Sequence, residues 1–225
     1  MRNTRGCRRG SLIPKPGRLS WTDAAAVPSA LASIWRMLVT RARVQPGETV
    51  LIFGASGGTG SFAVQLVRAM GAVAIAVTSS ERKEIFCHEL GAHHVIRSDR
   101  DNVVQEVKRL TGRRGVDVVF DHAGENTWQL GVASLTWGGR LVICGATEGF
   151  NAKIDLRHLW NKQLSLLGSH AFTQGELMAA MRMVEDGRLR PFVTEVIGLQ
   201  DLGDAQERMQ RRQTLGKLAI EIAHG

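Results

Sequence analysis

The tightest constraint in this sequence lies in residues 49–70. There an apolar run, TVLIF, leads into GASGGTG, with glycine at 54, 57, 58 and 60, and then into a helical apolar pattern of Phe62, Val64, Leu66, Val67 and Met70. A strand, a glycine-rich turn and a helix in that order build a site for a phosphate. Free N–H groups at the helix N-terminus point outward, and glycine lets a ligand approach the backbone. No Gly-Lys-Ser/Thr follows, so the turn is not a P-loop. Its spacing fits Gly54-x-x-Gly57-x-x-Gly60, one residue longer than the usual dinucleotide fingerprint, and equally Gly54-x-x-x-Gly58-x-Gly60.

The rest of the chain repeats the strand–helix rhythm. A helix is predicted over residues 22–40, strands at 49–53, 72–77, 94–96, 116–120, 138–145 and 163–169, and helices at 61–70, 81–90, 103–110 and 128–135. The strands are apolar on both faces, as required when helices cover both sides of a parallel sheet. Short connections between alternating elements imply right-handed crossovers. The fold class is therefore α/β, a doubly wound parallel sheet of Rossmann type, over residues 19–169 with its leading helix. From 170 to 225 the alternation stops: a helix at 176–185, an extended stretch at 192–199, a helix at 202–212 and a closing strand at 217–223 are expected to pack elsewhere.

Charge narrows the choice of partner. Arg2, Arg5, Arg8, Arg9, Lys15 and Arg18 stand in residues 1–18 with no acid, which accounts for six of the eight net charges. The body is close to neutral, so no specific nucleic-acid partner is expected. The basic segment reads as a disordered leader; a tail of this kind can also bind polyanions or serve in targeting. No apolar run reaches the eighteen or so residues that span a bilayer, so no membrane partner is expected. Cys7, Cys87 and Cys144 lie far apart with no paired spacing, which suggests a reducing, cytoplasmic setting and no structural zinc.

The end of the second strand, where the ribose beside an adenine is read, carries Thr78-Ser79-Ser80-Glu81-Arg82-Lys83. Hydroxyls with an arginine and a lysine suit a 2′-phosphate. A serine cap followed by a solvated first turn would look the same, and Glu81 argues for the unphosphorylated sugar. NADP(H) is favoured over NAD(H). The short-chain dehydrogenases also use a glycine turn of the second spacing, but their proton-transfer pair needs a tyrosine and this chain has none.

Taken together, LSWTDAAAVPSALASIWRML, VQPGETVLIFGASGGTGSFAVQLVRAMGA, ELGAHHVI, RGVDVVFDHAGE, GGRLVICGA and GKLAIEI closely resemble the medium-chain dehydrogenase/reductase superfamily, which includes zinc-type alcohol dehydrogenases and zinc-free quinone oxidoreductases. The resemblance runs over roughly residues 19–222. It implies that residues 170–225 are the C-terminal part of a split catalytic domain. The larger N-terminal part, on the order of a hundred residues, has no counterpart, so the chain reads as truncated. Ser29 stands where zinc-dependent members place a cysteine, and serine is a poor ligand beside a thiolate, so no metal is expected. The adjacent pair His93 and His94 cannot rescue a metal site, because neighbouring strand residues point opposite ways.

The resemblance also implies the cofactor contacts. Ser56, Gly57, Gly58 and Thr59 would meet the pyrophosphate, Ser79 and Lys83 the 2′-phosphate, and Ser33 the nicotinamide end. Gly145 and Ala146 would run along the nicotinamide ribose, and Lys217 would reach the phosphates. Ser98 occupies a position where quinone reductases often carry tyrosine, with Arg97 beside it as a source of positive charge. His122, Cys144 and His170 fall at carboxyl ends of predicted strands, yet none is assigned a catalytic role. The expected activity is hydride transfer from NADPH to a small-molecule quinone, carbonyl or conjugated alkene, in a homodimer. The alternative is a dinucleotide-binding remnant without turnover.

Overall fold

In the computed structural model, which describes residues 12–222, the alternating pattern becomes a six-stranded parallel sheet. Its strands are β1 (Thr49–Ile52), β2 (Val73–Thr78), β3 (His94–Arg97), β4 (Val116–Asp121), β5 (Leu135–Ile143) and β6 (Ser165–Gly168). They pair in the order β3-β2-β1-β4-β5-β6. The direction of travel reverses between β1 and β4, and a crevice opens outside their carboxyl ends, the place where open α/β sheets bind ligands.

Burial explains the strand composition. Val50 and Ile52 of β1 enter one core with Phe62, Ala74, Val118 and Phe120. Leu51 and the next residue, Phe53, enter the opposite core with Ile75, Val77, Val119 and Leu141. Successive side chains point to opposite faces, and helices line both. The helices are α1 (Trp21–Ala26), α2 (Pro28–Trp35), α3 (Gly60–Ala69), α4 (Glu81–Glu89), α5 (Val103–Leu110), α6 (Glu125–Ser134) and α7 (Leu156–Asn161).

Beyond the sheet come α8 (Gln174–Glu185), β7 (Val193–Gly198), α9 (Leu202–Gln210) and β8 (Lys217–Glu221), with β7 and β8 forming a separate parallel pair. α8 opens with a capping box, in which the Thr173 hydroxyl and the Glu176 carboxylate each accept from the other's backbone N–H. The Glu176 carboxylate also accepts from Arg36 at 2.9 Å and from Thr40 at 2.7 Å, tying α8 to the segment that follows α2.

Five departures from the sequence reading stand out, and the first two have local causes. The predicted helix over 22–40 divides at Val27, because Pro28 starts α2 at its first position, and it ends in a π-helical turn, Arg36–Arg41. β5 begins at Leu135, before the Gly-Gly pair. Gly138 takes φ +68°, and the register against β4 shifts there, so the pair makes an irregularity within the strand. α6 starts at Glu125, three residues earlier than predicted, and α7 was not anticipated. The expected disordered leader has a defined place over its described part, residues 12–18. Ile13 packs on the core, Pro16 is buried, and Arg18 donates to the Glu185 carbonyl at 3.3 Å. The remainder of that leader, with Cys7, lies outside the described residues.

Candidate dinucleotide site

The glycine turn is built to be tight in one part and open in another. A Cβ on Gly60 would lie 2.2 Å from the Gly54 carbonyl oxygen and 2.5 Å from Ala55 Cα, so glycine is demanded by the crossing of β1 and α3. A Cβ on Gly57 would meet only the Gly54 oxygen, at 3.4 Å, which leaves the space above it free. Thr59 is the N-cap of α3, and its hydroxyl caps nothing. Ser56 is buried, and its Oγ accepts from Thr78 Oγ1 at 3.4 Å.

The chain's last strand closes on this turn. Gly57 bridges Gly216, and the Gly216 N–H donates to the Ser56 carbonyl at 2.9 Å. The stem of Lys217 then lies against Gly58, where an added Cβ would stand 2.3 Å from Lys217 Cδ. Lys217 is half-buried, and burial lowers its pKa from the ordinary lysine value. Among the described residues no carboxylate pairs with it.

Beside the end of β2 lies a concavity of about 420 Å³ lined by Ser79, Ser80, Arg82, Lys83, Arg211, Arg212, Gln213 and Leu215. Lys83 Nζ donates to Ser79 Oγ at 3.2 Å. Burial, then the neighbouring Arg212 charge, lowers the Lys83 pKa. Arg82 and Lys83 have no carboxylate partner among the described residues, so the hollow carries uncompensated positive charge. The sequence reading found Ser79 and Lys83 and missed Arg211, Arg212 and Gln213. The available signal was the RRQ triplet shortly before GKLAI.

Other expected contacts fall apart or fall elsewhere. Arg97 does not line the hollow: its guanidinium is taken by Asp99 at 2.6 and 3.0 Å, with Glu84 at 3.6 Å. The free charge expected of it is thereby neutralised. Ser98 donates through Oγ to the Thr78 carbonyl at 3.0 Å, bracing the end of β2. Ser33, on α2, donates to the Ser29 carbonyl one turn back at 2.8 Å.

Gly145 and Ala146 sit in the loop after β5, which folds over the end of β4. The Thr147 N–H donates to the His122 carbonyl at 3.3 Å, and the Glu148 N–H to the Ala123 carbonyl at 2.8 Å. The His122 imidazole presses on Gly54, whose Cβ would stand 2.5 Å from Cε1, and its buried Nδ1 has no partner. Burial lowers its pKa, so the ring is neutral near pH 7. Cys144 is half-buried with a thiol pKa raised by burial, and His170 is exposed beyond β6. His93 is accounted for: its Nδ1 accepts from the Ala74 N–H at 3.0 Å.

Strand order, glycine turn and cationic hollow together describe a dinucleotide site, and comparison with known proteins supplies its lineage. A family model described as zinc-binding dehydrogenase matches residues 58–186. The chain belongs to the medium-chain dehydrogenase/reductase superfamily. This reductase-family chain is similar to the crotonyl-CoA reductase of Streptomyces avermitilis, 34% identical over 95% of this chain and 52% of that protein. It is likewise similar to the structure of the 2-octenoyl-CoA carboxylase reductase CinF in complex with NADP and 2-octenoyl-CoA, at 34% identity and TM-score 0.88, over 96% of this chain and 53% of that one. An NAD-dependent alcohol dehydrogenase structure gives TM-score 0.91 at 33% identity, over 96% of this chain and 63% of that one. The chain spans about half the length of the curated relatives it matches.

The family's name implies zinc, and the donor set does not fit it. Among the described residues no three of His, Cys, Asp and Glu converge on one point. Ser29, at the cysteine position of zinc-dependent members, is exposed at the start of α2 with its carbonyl engaged by Ser33.

Proposed function

We propose that this medium-chain reductase chain binds NADPH across the carboxyl ends of β2, β1, β4 and β5 and serves reduction of a conjugated alkene carried as a thioester, with quinones and simple carbonyls as further acceptors. The observation that carries the cofactor reading is the cationic hollow at the end of β2, where Lys83, Arg82 and Arg212 face a space of about 420 Å³. An unphosphorylated ribose leaves Arg82 and Lys83 unanswered, whereas a 2′-phosphate forms charge-assisted hydrogen bonds with such cations. The acceptor class rests on the relatives, whose names are those of enoyl-thioester reductases.

When bound, the cofactor supplies a hydride from its nicotinamide. The chain's own groups hold and orient. The N–H groups of Gly58 and Thr59 and the Thr59 hydroxyl receive the pyrophosphate above Gly57, whose own N–H is held by the Gly54 carbonyl at 3.0 Å, with Lys217 as a cation beside them. Ser79 and Lys83 take the 2′-phosphate, Gly145 and Ala146 border the nicotinamide ribose, and Ser33 faces the nicotinamide end. Polarisation of the acceptor falls to backbone donors or hydroxyls, and zinc takes no part. The residues after 170 belong, on this reading, to a split catalytic domain. The open edge of β6 suits a homodimer, and the free thiols of Cys87 and Cys144 suit a cytoplasmic setting.

Titration with NADPH and NADH tests the cofactor reading. Loss of one charge-assisted hydrogen bond costs about 1.5–3 kcal/mol. Lys83→Met should therefore weaken NADPH at least tenfold and leave NADH nearly unchanged. Equal affinity of the parent for both cofactors would refute the reading. NADPH oxidation followed with crotonyl-CoA and with quinones tests turnover. A second reading is a dinucleotide-binding protein without turnover. Tight binding with no oxidation of NADPH by any acceptor would establish it.

A further inference from the structure

The hollow beside β2 shares one of its cations with the other side of the crevice. Arg212 lies in the turn after α9 at φ +57°, with its backbone N–H on the Met209 carbonyl. Its guanidinium lines the hollow with Ser79 and Lys83, yet Nη2 stands 2.5 Å from Oε1 of Glu148. Glu148 belongs to the loop after β5, anchored on the β4 side of the switch point through Ala123. Arg212 therefore answers to a carboxylate on one arm of the crevice and borders the cationic hollow on the other.

The two partners differ in freedom. The Glu148 side chain is 21% exposed, and its second oxygen accepts from Asn126 Nδ2 at 3.2 Å, so the carboxylate is held in place. The Arg212 side chain is 59% exposed and can turn away from it. Of the other lining arginines, Arg211 pairs with Glu207 of α9.

We propose that Glu148 competes with the cofactor's 2′-phosphate for Arg212, so that this exchangeable ion pair sets how strongly the phosphorylated dinucleotide is preferred. The inference rests on the NADPH reading above and adds Glu148 as a specificity-determining residue. In the free chain Glu148 neutralises Arg212. A 2′-phosphate, with more charge and three acceptor oxygens, displaces the carboxylate and joins Arg212 to Lys83 and Ser79. An exposed ion pair is weak enough to be exchanged in this way.

The test uses the whole chain with 2′,5′-ADP and 5′-ADP as probes, and NADPH and NADH as full cofactors. Glu148→Gln keeps an acceptor for Asn126 and removes the competing charge. It should tighten 2′,5′-ADP and NADPH about two- to fivefold, the range expected when an exposed pair no longer has to be broken, and leave 5′-ADP and NADH unchanged. In an Arg212→Gln background the same substitution should have no effect, because the shared cation is gone. If Glu148→Gln leaves 2′,5′-ADP unchanged, or shifts both nucleotides alike, the exchange is overturned while the NADPH reading stands. A parent chain that fails to prefer 2′,5′-ADP over 5′-ADP overturns both.

Discussion

Two glycines three positions apart in one turn should respond in opposite ways to the same substitution. At Gly60 an added Cβ would sit 2.2, 2.5 and 2.7 Å from three backbone atoms of Gly54 and Ala55. Backbone cannot swing aside as a side-chain tip can, so the cost falls at the upper end of the about 1–3 kcal/mol typical of overpacking. Replacing glycine in a helix returns about 1 kcal/mol. For a chain of this size each kcal/mol moves Tm by about 2–4 °C, so Gly60→Ala should lower Tm by several degrees. At Gly57 the Cβ would have a single neighbour at 3.4 Å and φ is not positive, so Gly57→Ala should melt like the parent. That methyl would enter the open space over the turn where the pyrophosphate is proposed to lie, and NADPH affinity should fall at least tenfold. Thermal unfolding by circular dichroism and titration by nicotinamide fluorescence read the two effects separately. Unchanged binding in Gly57→Ala would refute the placement of the pyrophosphate. An unshifted Tm in Gly60→Ala would refute the packing argument.

Two further outcomes depend on pH. Burial opposes ionisation of Glu176, yet the Thr173 backbone, Thr40 and Arg36 hold its carboxyl down to about 2. A depressed acid contributes stability that is present above its unfolded value near 4.5 and lost as pH falls towards 2. Glu176→Gln should therefore be destabilised by about 1–3 kcal/mol at pH 7, and the gap from the parent in denaturant midpoints should narrow below pH 4.5 and close only as pH falls through about 2. His122 is kept neutral by burial, with its pKa below 6.5. Its contribution is present above 6.5 and shrinks as acid forces a proton on, so His122→Gln should flatten the loss of stability below pH 6.5. An equally steep acid limb in the variant would remove His122 from the account.

The parts of this fold that could be read in sequence are those where local pattern and burial agree. β1, β2 and β4 are apolar on both faces because both faces are covered, and their positions are correct to a residue or two. The glycine turn is legible through Gly57 and Gly60, which answer to Gly54 and Ala55 within the turn itself, whereas Gly54 and Gly58 answer to His122 and Lys217 far along the chain. α7 was not, because it buries no residue and so carries no periodic signal. In the site, Ser79 and Lys83 follow from their place after β2, but Arg211 and Arg212 reach the hollow from α9, and no spacing rule connects segments so distant. Arg97 misled for the converse reason: Asp99, two residues on, captures the charge that the sequence offered as free.

The bridge between Gly57 and Gly216 has a consequence for the order of assembly. The floor of the dinucleotide turn is made of neighbouring residues, but one of its rims is laid down about 160 residues later in the chain. Closing so long a loop costs entropy before any contact repays it, and contacts of high sequence separation form late in folding. A growing chain would thus complete its sheet with the turn still unlipped, and only the arrival of Gly216 and Lys217 would give the phosphates their second wall. Cofactor added during refolding should act on that last step, selecting chains whose final strand has docked.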